Sequence, residues 1–321
     1  MKIHNVVYLL LIGTSLAWNA YNTCYVSRKI HVKQESILEK RYDTMHKVLA
    51  KESLRRYRHV LNKPEKKYEA PNKFPNKIWY YWSSGTENAP SIALNCYKSI
   101  KKYIPDMEII KINKYNISTY IKLPNHILSK YQAGIISEAQ FADIVRVFLL
   151  REYGGLWLDC TTYLTGSVPN NIRNSDFFAP ALVEKRGTRF TLNDKIIFGV
   201  FASFFIWVKR PHNYIMECMA NFFDEYWKDK EWCDYLSFYE FTAVAMEEDG
   251  KFYKQVVDML NKAYYHENQF LELSYKCHDR YDSKTWKEIK KFPIHKISLA
   301  LNGKKPFKTG SYYHKIEQGE I

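Results

Sequence analysis

Between Phe141 and Leu150 the chain carries only two charged residues, Asp143 and Arg146. At a spacing of i, i+3 they share one face of a helix. Phe141, Ile144, Val145, Phe148 and Leu149 follow the pattern of a core face, and Ala139, Ala142, Val147 and Leu150 make the opposite side apolar as well. Unpaired charge in such surroundings is costly, so the two groups either satisfy each other as a structural ion pair or face a polar cavity. A few residues on, Leu156-Trp157-Leu158 predicts a short buried strand that delivers Asp159 at its carboxyl end, followed by Cys160 and Thr161. A carboxylate there, beside a buried Asp and Arg, makes a polar constellation in an apolar setting, as a ligand-binding or catalytic site requires.

The elements that must position these groups are well marked. Ser137 with Gln140 three residues later forms a capping box, and Gly154-Gly155 supplies the left-handed residue that ends the helix. Upstream, Ile78 to Trp82 reads as a buried strand closed by Ser83-Ser84-Gly85. A helix follows from Pro90, with Ile92, Cys96 and Ile100 on one face and Pro105 after its end; Glu108 to Ile112 is a second strand, and another helix begins at Pro124. Strand alternating with helix predicts an α/β fold with a parallel sheet, whose ligands sit beyond the carboxyl ends of the strands. Ile196 to Val208, bounded by Lys195 and Lys209, is short for a membrane span and reads as core strands. Asn193-Asp194 reads as a turn. Phe222, Phe223, Tyr226 and Trp227 end a helix begun near Pro211 and read as packing core, and Glu247-Glu248-Asp249 reads as a solvated run.

Taken together, Asp143-x-x-Arg146, Tyr153-Gly154-Gly155-x-Trp157-x-Asp159-x-Thr161 and Asn76-Lys77-Ile78-Trp79 resemble capsular polysaccharide synthesis proteins. These motifs are also similar to those of related glycosyltransferases with a DXD-type signature, among them outer-chain mannosyltransferases and the sugar-transferring domains of clostridial toxins. The likeness spans roughly residues 74 to 165. It implies a GT-A (Rossmann-like) fold and transfer of a hexose from a nucleotide-sugar donor to a polysaccharide or lipid-linked glycan acceptor, with retention of configuration. By the same resemblance Trp79 would stack on the nucleotide base, Asp143 and Arg146 would hold donor-sugar hydroxyls, and Asp159 with Thr161 would meet the ribose or a divalent metal such as Mn²⁺ or Mg²⁺. Thr161 stands where the family often carries a second Asp, and hard cations favour carboxylate oxygens. The implied metal at Asp159 is therefore in question, and His295-Lys296 or His314-Lys315 are candidates by residue type to neutralise a diphosphate instead. Phe292, Ile294 and Ile297 predict a strand that would fix the first pair.

Composition limits the alternatives. With 321 residues, 46% hydrophobic and 26% charged, most of the chain is globular. Six scattered cysteines without a Cys-x-x-Cys pair read as reduced thiols. The net charge of +14 is uneven: residues 28 to 67 hold 13 Lys+Arg against 5 Asp+Glu. A basic surplus beside an apolar N-terminus suits an anionic membrane surface rather than nucleic acid. No charge falls between Asn5 and Val26, which leaves open a membrane anchor, an interfacial helix or a cleaved signal. The more basic flank after this segment places the body on the cytoplasmic face. The expected organisation is a membrane-associating segment over 1–27, a basic amphipathic helical stalk over 28–70, and the transferase domain over 71–321. Two rival readings are a lumenal Golgi-type transferase, to which the sequon Asn116-Ile117-Ser118 lends support, and a non-catalytic carbohydrate-binding or scaffold protein that keeps the fold.

Overall fold

A computed structural model of the chain describes residues 58–61, 76–186, 189–191, 200–228, 237–297 and 308–321. The expected N-terminal segment and, apart from residues 58–61, the expected stalk lie outside the described residues, as do Asn193 and Asp194. Among the described residues no helix is long and apolar enough to cross a membrane.

The first half of the fold runs β1 (Lys77–Tyr81), α1 (Ser91–Tyr103), β2 (Glu108–Ile112), α2 (Asn125–Gln132), α3 (Glu138–Tyr153) and β3 (Gly155–Leu158). It continues through β4 (Thr162–Leu164), α4 (Asn170–Asn174), β5 (Phe177–Phe178), the small hairpin β6 (Glu184–Arg186) and β7 (Arg189–Thr191), and β8 (Phe205–Val208). Six more helices and a strand complete it: α5 (Tyr214–Tyr226), α6 (Ser237–Glu248), α7 (Gly250–Lys262), α8 (Glu267–Lys276), α9 (Ser283–Ile289), β9 (Ile294–Lys296) and α10 (Tyr312–Glu317).

The main sheet has the order β2-β1-β3-β8-β5. Its centre reads as near-continuous apolar sequence because parallel strands covered on both faces bury every side chain. β1 pairs in parallel with β2 and with β3, placing Trp79 opposite Trp157. β8 runs antiparallel to both its neighbours, β3 and β5, so the sheet is mixed, which corrects the expectation of a parallel sheet. The cause is local. The Asp159 backbone N–H donates to the Phe204 carbonyl (2.9 Å), so the chain re-enters the sheet beside the carboxyl end of β3 and β8 must run back along it. A separate antiparallel ribbon, β4 with β9, pairs Thr162 with Lys296.

The core-forming reasons are those the sequence carries. Ser137 accepts from the Gln140 backbone and the Gln140 side chain returns to Ser137, starting α3. Residues 144 to 150 of α3 are all buried. Phe222, Phe223, Tyr226 and Trp227 are buried core residues. Asp249, expected to be solvated, is instead fully buried: it caps α7 by accepting from the backbone N–H groups of Lys251 and Phe252, and Tyr214 Oη donates to it at 2.7 Å. Of the expected stalk, Val60 and Leu61 are buried against α5, and Arg58 pairs with Glu248 at 3.0 Å. The four described cysteines, Cys96, Cys160, Cys218 and Cys277, are free and buried.

The passage from α3 into β3 depends on glycine. Gly154 (φ 65°) and Gly155 (φ 96°) both take positive φ, and a Cβ at Gly155 would lie 2.6 Å from the Lys77 carbonyl oxygen in the neighbouring strand. The turn therefore admits no side chain at residue 155 without displacing the β1 backbone. Gly155→Ala is expected to lower the unfolding free energy by about 3 kcal/mol, from positive-φ strain and backbone overlap together. Urea denaturation of the two proteins measures it, and a change within about 0.5 kcal/mol would contradict the account.

Candidate active site

Three elements converge beyond the carboxyl end of β3. α3 supplies Asp143 and Arg146, the end of β3 supplies Asp159, and β9 supplies Lys296. The Arg146 guanidinium is the hinge of the group: one Nη lies 3.2 Å from Asp143 Oδ1 and 3.4 Å from Asp159 Oδ1, and the other donates to the Ser203 carbonyl at 2.6 Å. Its Nε donates back to the Ala142 carbonyl (3.3 Å), and its plane sits 5.0 Å from the Trp157 ring. On the far side of Asp159, Lys296 Nζ approaches Oδ2 at 2.7 Å and donates to Thr161 Oγ1 at 2.8 Å. Trp157 Nε1 donates to Asp159 Oδ1 at 2.9 Å, a contact that follows from the two-residue period of strand side chains. The Arg146 side chain is 6% exposed, whereas Asp143 and Asp159 keep 17% and 24% of theirs reachable by solvent. The arginine is thus anchored from behind, and the two carboxylates remain partly reachable by solvent.

Of the two ways the sequence left open for the Asp143/Arg146 pair, the geometry shows the pairing, and the pair also joins a larger polar cluster with Asp159 and Lys296. The environment separates the two carboxyls. Burial pushes Asp143 up to about 6, against the opposing effects of Arg146 and the Ser203 hydroxyl and with the help of the nearby Asp159 charge. Burial would also raise Asp159, but Lys296 and Arg146 outweigh it and hold that carboxyl down at about 2. Opposite charge within a few ångströms favours the ionised form, and Asp159 has two such neighbours where Asp143 has one.

Not every residue singled out from sequence joins this group. Trp79 is 0% exposed, its Nε1 donates to the Gly154 carbonyl (2.8 Å), and its ring packs on Tyr120 and Tyr153. It offers no face on which a nucleotide base could stack, and it braces the glycine turn instead. His295 is likewise fully buried, on the opposite side of β9 from Lys296, with Nε2 3.1 Å from Thr165 Oγ1; burial lowers it to about 3. Alternation along the strand divides the expected pair, turning Lys296 toward Asp159 and His295 into the core. His314 and Lys315 lie on α10, where Lys315 pairs with Glu320 at 2.6 Å. Two partners escaped the sequence reading. Ser203, which gives its carbonyl to Arg146, is the one hydroxyl residue in the apolar run from Ile196 to Val208, and that isolation was an available signal. Its own hydroxyl lies 3.4 Å from Tyr239 Oη, a long-range contact that left no local signal.

A divalent metal implied at Asp159 does not fit these residues. Oδ1 of Asp159 already faces Trp157 Nε1 and Arg146, Oδ2 faces Lys296, and the Thr161 hydroxyl is taken by the same lysine. Among the described residues no group of three or more His, Cys, Asp or Glu side chains could hold a metal ion. A divalent ion about 4 Å from an ammonium group is repelled by roughly 8 kcal/mol at an effective dielectric constant of about 20.

Paired carboxylates and cations gathered beyond the carboxyl end of a parallel strand occupy the position where open α/β sheets commonly bind ligands. The profile of the capsular polysaccharide synthesis protein family matches residues 28–316, and the chain belongs to that family. At the level of the family it is a protein of capsular polysaccharide synthesis. Two solved structures are similar in part. One, described as the PaToxG glycosyltransferase, is 15% identical over 71% of this chain and 88% of that one, with a TM-score of 0.32. The other, a mutant transferase, is 11% identical over 60% and 90%, with a TM-score of 0.30. Neither likeness is strong enough to bear on activity. No curated protein matches the chain.

The raised carboxyl of Asp143 has a stability consequence of definite sign. A group that holds its proton more tightly folded than unfolded stabilises the fold below its unfolded value, and that stabilisation is lost as pH rises through the folded value. For Asp143 the window runs from the usual aspartate value of 3.8 to about 6. Replacing Asp143 with Asn should remove about 2 kcal/mol of the stability difference between about pH 4.5 and 7. Urea titrations of both proteins at the two pH values check this, and an unchanged difference would contradict the raised value.

Proposed function

We propose that the chain transfers a hexose, with retention of configuration, from a nucleotide-sugar donor to a growing glycan or lipid-linked acceptor in capsule synthesis, on a sheet of the GT-A type. The observation that carries this reading is the Arg146 guanidinium held between Asp143 and Asp159 at 3.2 and 3.4 Å, with both carboxylates still partly open to solvent. Sugar hydroxyls present donors and acceptors in fixed directions, and a preset carboxylate–guanidinium–carboxylate row meets several of them without reorganising. In this reading Asp143 and Arg146 hold the sugar and Asp159 faces the donor's ribose or diphosphate. The acceptor oxygen forms the new bond to the anomeric carbon on the face from which the diphosphate departs, and the departing oxygen takes the acceptor's proton. The preorganised charges lower the barrier by stabilising the charge that separates as the old bond breaks. The uncharged segment from Asn5 to Val26 and the basic residues after it support attachment to the cytoplasmic face of a membrane.

A panel of nucleotide sugars, assayed for release of free nucleoside diphosphate with and without a capsule-derived acceptor, tests the reading. Asp159→Ala is expected to reduce that release by about a hundredfold or more. A folded Asp159→Ala protein that works at the wild-type rate would sink it.

A further inference from the structure

We infer that Lys296 is a resident cation which takes the place of a divalent metal at the leaving diphosphate, so that donor binding is independent of metal. The inference deepens the glycosyl-transfer reading and rests on it. Its ground is the position of one ammonium group. Lys296 Nζ contacts Asp159 Oδ2 at 2.7 Å and Thr161 Oγ1 at 2.8 Å, spanning the two side chains that would be expected to face a metal at this turn. An aspartate at residue 161 would add the second carboxylate that a hard divalent ion favours, whereas threonine supplies a neutral hydroxyl that a lysine can use as an acceptor. The exchange of carboxylate for hydroxyl and the arrival of the lysine thus compensate in charge.

The fold fixes the lysine as firmly as it fixes the carboxylates. β9 is paired to β4 with Lys296 opposite Thr162, and the Ile297 N–H donates to the Thr161 carbonyl at 2.8 Å, clamping the two segments on either side of the contact. Alternation along β9 buries His295 and leaves Lys296 at the edge, its side chain 18% exposed. Nζ also lies 5.7 Å from the centre of the Phe204 ring, an apolar wall that lowers the local polarity. When the bond between the anomeric carbon and the diphosphate oxygen breaks, its electron pair stays on that oxygen. An ammonium that can turn from Asp159 toward the diphosphate supplies the compensating charge, while Arg146 and Trp157 keep Asp159 paired.

Full-length protein titrated calorimetrically with inorganic pyrophosphate, once with a chelator and once with Mn²⁺, tests the assignment. The affinities in the two conditions should agree within about threefold, Lys296→Met should weaken binding about tenfold or more, and Lys296→Arg, which keeps the charge, should stay within about threefold of wild type. The double substitution Lys296→Met with Thr161→Asp should bind Mn²⁺, read by electron paramagnetic resonance, where the wild type does not. A wild type whose pyrophosphate binding tightens tenfold or more with Mn²⁺, or a folded Lys296→Met protein that binds as tightly as wild type, would overturn the role of the lysine while leaving glycosyl transfer intact. Failure of every nucleotide sugar to bind in either condition would instead remove the glycosyl-transfer reading itself.

Discussion

The arrangement of this site depends on one buried guanidinium that must be fully paired. Arg146 points into the protein from a helix that is apolar nearly all round, and it stays ionised at any accessible pH. Leaving such a group without partners would cost several kcal/mol, and removing one partner of a buried pair commonly costs 3–5 kcal/mol. Its bonds to Asp143, Asp159 and the Ser203 carbonyl therefore do more than hold side chains in place. They tie α3, the end of β3 and the entry to β8 into one unit, because each of those segments carries an acceptor that the arginine requires.

The backbone makes that convergence possible through the glycine turn. After α3 the chain must reverse within two residues to lay β3 against β1, and positive φ at Gly154 and Gly155 allows the reversal where a Cβ would strike the Lys77 carbonyl. Trp79, which bonds to the carbonyl of Gly154, locks the turn from the neighbouring strand. Four residues beyond Gly155 the strand ends at Asp159, and the short turn from Asp159 to Thr162, closed by the Thr162 N–H on the Asp159 carbonyl (2.9 Å), leads directly into the ribbon that brings Lys296 back. Helix stop, strand and ribbon are consecutive solutions to the same demand: each brings one charge to within bonding distance of the last.

Local rules made much of this legible in the sequence. The capping box at Ser137, the glycine stop at residue 154, the buried strand before Asp159 and the strand around Lys296 are all encoded within a few residues and draw Asp143, Arg146, Asp159 and Thr161 toward one region, whereas the pairing of β9 with β4 that brings Lys296 to them is a long-range contact. What the sequence concealed was decided at long range. The antiparallel return of β8 follows from where the chain re-enters the sheet, which no pattern within residues 200 to 208 reveals. Trp79 looks the same whether an aromatic ring faces a ligand or the core, and its total burial comes from neighbours such as Tyr120 that are distant in sequence. Asp249 reads as part of an acidic surface run, and only the packing of Tyr214 against it shows that its carboxylate is an interior cap.

The cluster also shows how two aspartates sixteen positions apart acquire different chemistry from one arginine. Both face the same guanidinium, and burial acts on both in the same direction. The difference is the second cation. With Lys296 at 2.7 Å, Asp159 stays ionised throughout the physiological range, a fixed negative charge beside a fixed ammonium. Among the described residues Asp143 has Arg146 as its one neighbouring cation, and burial holds its carboxyl up at about 6, close enough to neutrality to exchange a proton as its surroundings change. Environments that push paired carboxyls apart commonly mark a division of labour. Here the division is between a carboxylate that keeps its charge and a carboxyl that can either accept or donate a hydrogen bond. Lys296 creates that asymmetry, because its ammonium lies against Asp159 and not against Asp143.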